Sequence, residues 1–246
     1  MSKKMKSNIY VGTSGWNYDH WRGVFYPPDC PKPGWLQHYA RYFSTVEVNT
    51  TFYRHPRPET LEGWRQKTPE EFVWAVKASR YITHIKRLRN AGESLERFFN
   101  AARILKDKLG PVLFQLPPGL DFKEGVFEEF CADLGKYHHR CTIEVRHKSW
   151  LEECVLTKLE KNRIAFCISD TAGRYPYREA ITADFIYIRL HGPRRLYASD
   201  YSEEELQVWA KKIILWNRDT YVYFDNDFGG YAPKNAARLK EILGLD

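Results

Sequence analysis

Thr142-Ile-Glu-Val-Arg-His-Lys-Ser-Trp150 is the stretch that decides the fold. Together with Cys141 before it, it opens as a buried strand does, with Cys141, Ile143 and Val145 at alternate positions, while Thr142, Glu144 and Arg146 take the other parity. In a barrel of parallel strands the outward side chains pack on helices and the inward ones fill the interior. The pattern therefore predicts a strand whose end reaches a barrel mouth, with Glu144 and Arg146 lining it.

The same phase recurs along the chain. Val46 and Val48 read outward, with Glu47 and Asn49 inward; Trp74 and Val76 outward, with Lys77 and Ser79 inward; Ile186, Ile188 and Leu190 outward, with Tyr187, Arg189 and His191 inward. Gln115 shares its inward face with Leu113, Asp225 shares one with Tyr221 and Tyr223, and Asp170 closes the sixth strand. Strands are expected near 8–12, 45–49, 72–78, 111–116, 141–146, 164–170, 184–191 and 220–225. Helical patterns fall between them at 34–43, 59–66, 93–108, 123–135 and 152–161, from Ser202 onward, and at 234–243. Ser202 with Glu205 reads as a capping box, and Gly244 as a helix stop. Only the sixth connection, Thr171 to Ala183, lacks a helical pattern.

Eight such units in 246 residues compose a single (β/α)8 barrel of the triose-phosphate isomerase type, residues 1–246, with an irregular sixth connection. The rival is an open doubly wound sheet, but Gly12-Thr-Ser-Gly15 is no G-x-G-x-x-G fingerprint. The proline-rich Tyr26–Pro33 reads as an ordered first loop, and no internal repeat or linker interrupts the pattern.

Bulk composition narrows the function classes. No apolar run approaches a membrane-spanning length, and the basic start, Met1–Ser7, leads into a short strand, not a signal-peptide core, so a cytoplasmic monomer is expected. Five cysteines without a C-x-x-C pair argue against disulfides and structural zinc. A net charge of +7 and a pI near 9.0 favour anionic partners.

These residues also compose a family pattern. Gly12-Thr-Ser-Gly-Trp16 with Tyr18, Trp21 and Phe25-Tyr-Pro27 resembles the opening of the domain-of-unknown-function 72, or YecE-like, family. So do Thr45–Arg54, Val76–Arg80 with Thr83-His84, Leu109–Pro118, Glu144–Trp150, Tyr187–Gly192 and Tyr223–Asp227, in the family's order over nearly the whole chain. The resemblance implies the same barrel and supplies no activity. Asp225 departs from it, because the family pattern usually reads Asn there.

Several chemistries fit the inward polar residues. Glu144, His147, His191, Asp170, Asp225, Asp227 and Glu47 offer nitrogen and oxygen ligands for a divalent ion in phosphodiester hydrolysis, by fold-level analogy with barrel endonucleases of the apurinic class. Arg146, Arg189 and Lys77 share the mouth and would repel such an ion, so a cofactor is left unassigned. His191-Gly-Pro-Arg-Arg195 and Asp227-Phe-Gly-Gly-Tyr231 follow the strands after which barrels commonly hold phosphate, giving Arg194, Arg195, Gly229 and Gly230 as candidates. Arg80, Lys86, Arg87 and Arg89 in the third loop, with Tyr175, Tyr177, Tyr197 and Tyr201, interleave cations and aromatics as single-strand binders do.

The leading expectation is a hydrolase-like enzyme acting on a phosphorylated small molecule or nucleic acid. Glu47 and Glu144 would act as base or ligands, His147 and His191 would transfer protons, and Lys77 and Arg146 would stabilise negative charge. Alternatives are a lyase or isomerase forming a Schiff base on Lys77, a glycosidase pairing Glu47 with Glu144 beside Trp16, Trp21 and Tyr53, and a nucleic-acid-binding module without catalysis. No G-x-S-x-G elbow supports serine chemistry. The structural alternative is a buried ionic layer in which Glu47, Glu144, Lys77, Arg146 and Arg189 neutralise one another.

Overall fold

The computed structural model describes residues 7–54 and 56–245. The basic segment Met1–Lys6, read above as leading into the first strand, lies outside the described residues. Eight parallel strands are present: β1 (Ile9–Thr13), β2 (Thr45–Val48), β3 (Val73–Lys77), β4 (Leu109–Gln115), β5 (Cys141–Glu144), β6 (Ile164–Asp170), β7 (Phe185–Leu190) and β8 (Asp219–Phe224). They are ordered β1-β8-β7-β6-β5-β4-β3-β2, so each strand lies beside its neighbour in sequence except across one seam. The open doubly wound alternative is thereby overturned.

The seam between β1 and β2 closes at the top through a single parallel bridge, Ser14 to Glu47. Below it the Tyr39 hydroxyl joins the two strands. It accepts from the Thr13 amide at 3.0 Å and donates to the Thr45 carbonyl at 3.0 Å. Gly12 allows this approach, since a β-carbon there would stand 2.3 Å from the Thr45 carbonyl oxygen.

Between the strands lie α1 (Trp35–Tyr39), α2 (Thr50–Tyr53), α3 (Pro58–Gln66), α4 (Gly92–Ala102), α5 (Glu124–Gly135), α6 (Glu153–Lys161), α7 (Glu203–Trp216) and α8 (Tyr231–Leu243). The expected helix over 93–108 ends at Ala102; a 3-10 turn continues to Lys108, and Lys106 breaks it at φ 53. The helix expected over 34–43 is confined to five residues. The Ser202–Glu205 capping box and the Gly244 stop form as read. No helix joins β6 to β7, as the sequence indicates. Short elements escape periodicity, among them α2, a π-helical turn at Tyr81–Ile85 and 3-10 turns at Asp19–Trp21 and Lys148–Leu151.

Strand parity sorts the core into two bodies. Outward residues such as Val46, Val76, Ile143, Ile188 and Val222 pack with the helices. The inner cluster is Ala75, Leu113, Ala165, Cys167, Phe185, Tyr187, Tyr221 and Tyr223, which fills the lower barrel with rings and small side chains. Tyr10 stacks on Tyr221 with centroids 4.9 Å apart. Above this apolar plug the inward residues turn ionic, and that transition builds the site. All five cysteines are free thiols. No helix among the described residues is long and apolar enough to cross a membrane.

Candidate functional site

Arg189, late in β7, is the centre of the upper barrel and is 1% exposed. Its Nε and Nη2 donate to the two oxygens of Glu47 at 2.9 and 2.8 Å, the forked geometry a guanidinium makes best with a carboxylate. Nη1 donates to Glu144 Oε2 at 2.6 Å, and Nη2 also reaches Asp225 Oδ2 at 3.0 Å and Ser14 Oγ at 3.0 Å. Glu47 additionally accepts from the Tyr187 hydroxyl at 2.8 Å and from Ser14. Three carboxylates from three strand ends thus converge on one cation.

Glu47 and Glu144 are both fully enclosed. Burial works to raise the pKa of Glu144, but Arg189 and Arg146 beside it hold the carboxyl well below the usual range. Asp225 is likewise held low against burial by Arg189 and His191. His191, also enclosed, places Nε2 3.3 Å from Arg189 Nη1; its Nδ1 approaches Asp225 Oδ2 to 2.8 Å without hydrogen-bond alignment. Sealed in around Arg189, Glu144 and Glu47 form a floor beneath the mouth.

Lys77 and Arg146 stand above that floor. Lys77 Nζ donates to Gln115 Oε1 at 2.6 Å and lies 4.5 Å from the Phe52 ring centroid. Burial, reinforced by Arg189, brings its pKa down to about 8. Arg146 lies two residues past the end of β5 and bends back to Glu144 Oε1 at 3.1 Å, with its guanidinium 4.4 Å from the Tyr175 ring centroid. His84, in the π-helical turn after β3, reports the field above them. Burial and then the positive charges of Lys77, Arg146, Arg80 and Arg87 lower its pKa to about 4, so this side of the mouth carries a positive field.

The opposite side is acidic. Burial and the neighbouring Asp225 raise Asp227 to about 6, and His20 Nε2 lies 3.5 Å from its carboxylate. Gly229 and Gly230 stand in this same loop, and Gly230, at φ 76, begins α8 with its amide donating to the Asp227 carbonyl at 2.8 Å. They adjoin a carboxylate, not a cation. Arg194 is taken up by Glu205 and the Asp200 carbonyl, and Arg195 is exposed.

The remaining predicted residues are distributed around the rim. His147 caps the 3-10 turn Lys148–Leu151, with Nδ1 accepting from the Ser149 amide at 3.3 Å, and it makes no contact with Glu144. Asp170 receives the Tyr201 hydroxyl at 2.9 Å and lines a separate cavity of about 250 Å³ with Gly173, Tyr177 and Trp209. Among the described residues, the buried Asn49 carboxamide oxygen has no hydrogen-bond partner. Trp21, one of the expected sugar-platform rings, is entirely packed, and Tyr201 is buried beneath the loops. Among the described residues no group of three or more His, Cys, Asp or Glu is arranged to hold a metal ion; Glu47, Glu144 and Asp225 all point at Arg189.

Parallel strands closed around an aromatic plug, with a charged mouth at their carboxyl ends, define a triose-phosphate-isomerase-type barrel. The chain belongs to the family described as "Protein of unknown function DUF72", whose sequence profile matches residues 10–246. It is similar to the UPF0759 protein YecE of Escherichia coli K12, 27% identical, covering 96% of this chain and 92% of that one. A solved DUF72 family protein of Thermotoga maritima superposes with a TM-score of 0.87 at 30% identity, over 96% of this chain and 99% of that one. D-psicose 3-epimerase from Clostridium cellulolyticum, at 9% identity and a TM-score of 0.54 over 95% of each chain, shares the barrel alone.

Proposed function

We propose that the protein is a hydrolase-like enzyme acting on a phosphate-bearing substrate, with nucleic acid the leading candidate. The observation that carries this reading is the pair of cations standing over the ionic floor, Lys77 held by Gln115 and Arg146 held by Glu144 against the Tyr175 ring. A low-dielectric mouth with that field attracts an anion, and the floor beneath it keeps the cations fixed. Nucleic acid is favoured over a small metabolite by the rim: Tyr53, Tyr81, Tyr177, Tyr197 and Phe228 are exposed on the loops after five different strands. Cations interleaved with exposed rings suit phosphates and unstacked bases.

Two groups of the mouth whose pKa values are shifted toward neutrality divide the chemistry. Asp227, near 6, takes a proton from the attacking water as its oxygen bonds to phosphorus. The bond from phosphorus to the leaving oxygen breaks, and Lys77, near 8, returns a proton to that oxygen. Arg146 stabilises the charge on the non-bridging oxygens. Solvent restores both groups.

A profile of rate against pH is therefore expected to be bell-shaped, with limbs near 6 and 8, when hydrolysis of a phosphodiester is followed in the wild type. Asp227→Asn should lose the acidic limb and about 10²–10⁴-fold in rate, the usual share of a general base. An unchanged acidic limb in that variant removes Asp227 from the role, and oligonucleotide binding without turnover in the wild type leaves the module without catalysis.

One observation favours a second reading. A buried amine with a pKa near 8 is also suited to attack a carbonyl carbon. Borohydride reduction with simple aldehydes and keto acids, followed by mass spectrometry, separates the two: a permanent adduct on Lys77 supports a lyase or isomerase, and an unmodified Lys77 supports the phosphate reading.

A further inference from the structure

A cleft of about 640 Å³ opens beside the mouth, between the loop after β1 and the segment joining β2 to α3. Its walls include Trp16, Tyr18 and Trp64, with Asn49, Arg54 and Arg57 among the polar groups. The size lies within the ordinary range for small-ligand sites. Among the described residues, no Asp, Glu or Lys lines it.

Among the described residues, the side-chain groups of Arg54 and Arg57 and the Asn49 carboxamide oxygen lack partners. Arg54 and Arg57 have no ion pair or side-chain hydrogen bond among the described residues, although the chain is rich in arginine–carboxylate pairs elsewhere. The Asn49 carboxamide oxygen is buried and accepts no hydrogen bond. A buried acceptor left open in this way costs free energy that a donor from a ligand would recover. Trp16, Trp64 and Trp74 form one aromatic stack, with Trp64 parallel to Trp74 at 5.4 Å and Trp16 edge-on to both, so the indole wall is rigid.

The cleft is mechanically joined to the floor. Tyr18 donates its hydroxyl to the Ser14 carbonyl, and the Ser14 side chain donates to Glu47. Gly15, at φ 98, makes room for this: a β-carbon there would lie 2.8 Å from the Tyr18 hydroxyl.

We propose that this cleft is a nucleotide-binding subsite, with a base held against the Trp16–Trp64 wall, a base amino or sugar hydroxyl donating to Asn49, and a phosphate held by Arg54 and Arg57. Aromatic walls take a flat ring by stacking, and two guanidinium groups with no competing carboxylate take its phosphate. The inference rests on the phosphate-bearing reading for its connection to the mouth, where the neighbouring nucleotide of a strand would lie.

Calorimetric titration with adenosine 5′-monophosphate tests it, with adenosine and inorganic phosphate as controls. The wild type should bind the nucleotide saturably and more tightly than either control. The double variant Arg54→Gln with Arg57→Gln should weaken the nucleotide about tenfold or more and leave adenosine unaffected. Lys77→Met should change nucleotide affinity by less than about threefold, because Lys77 belongs to the mouth. No saturable binding at millimolar nucleotide, or equal binding by the wild type and the double variant, overturns the subsite. Binding lost in Lys77→Met and kept in the double variant also overturns it while leaving the mouth reading intact. Cleft binding that survives when the mouth shows no affinity for oligonucleotides would instead locate the failure in the mouth reading.

Discussion

Replacing Arg189 with Met is expected to lower the melting temperature by roughly 6–20 °C, the largest loss of stability from any single change in the mouth. The variant leaves Glu47 and Glu144 enclosed, and Asp225 nearly so, without the cation on which all three converge. Removing one partner of a buried ion pair costs about 3–5 kcal/mol, because the remaining charge is neither solvated nor matched. Against a total stability of about 5–15 kcal/mol that is a large fraction. Arg189→Lys should recover little, since a point ammonium cannot reach both oxygens of Glu47 and Glu144 Oε2 together. Thermal unfolding followed by circular dichroism measures the effect; a melting temperature within a degree or two of wild type would mean that the floor is not an ionic unit.

Lys77→Met is expected to move stability the other way. The folded-state pKa of Lys77 lies near 8, below the ordinary lysine value of 10.5. The unfolded chain therefore binds more protons between those values, and wild-type stability gains from this group as pH rises from 8 to 10.5. Below pH 8 the cost of keeping the amine in the folded mouth is fully present; above 10.5 it has vanished. The stability of Lys77→Met relative to wild type should accordingly be greatest at pH 7 and fall by about 3 kcal/mol by pH 10.5, an order-of-magnitude figure for a buried group. Loss of the contact to Gln115 costs the variant the same at every pH, so the slope isolates the amine. Denaturant titrations of both proteins at pH 7, 9 and 10.5 give the comparison. A pH-independent difference would place Lys77 at its ordinary pKa and remove it as an acid near neutrality. A residue whose removal stabilises the fold while weakening anion binding is one kept for function.

Residue by residue, the barrel was legible because its strands keep a strict parity. Ile143 and Val145 against Thr142 and Glu144 predicted both faces of β5, and Leu113 and Tyr187 indeed lie in the inner plug. Where helical periodicity was read through a break, as at Lys106, the pattern of apolar residues continued although the backbone did not. The inward charges were found, but sequence could not tell depth. Glu47, Glu144 and Arg189 form the buried ionic layer of the structural alternative, and Lys77 and Arg146 stand over it.

Asp227 was visible only as one carboxylate among several, since its raised pKa comes from burial beside Asp225. His84 drew notice only within the motif that carries it, because the burial and the surrounding positive charge that lower its pKa are tertiary facts. The cleft was not legible, being assembled from loop residues such as Trp16, Asn49, Arg54 and Trp64 that share no strand face.

The central claim is that the cationic side of the mouth holds phosphates. The most direct test is fluorescence anisotropy of a short labelled single strand, titrated across a salt series with wild type and with the double variant Lys77→Met and Arg146→Gln. For the wild type the logarithm of the binding constant should fall linearly with the logarithm of salt, each phosphate neutralised contributing about −0.7 to the slope. The double variant should bind at least about tenfold more weakly with a slope shallower by roughly one to two. Absence of binding at low salt, or equal affinity and slope in the two proteins, would contradict the claim.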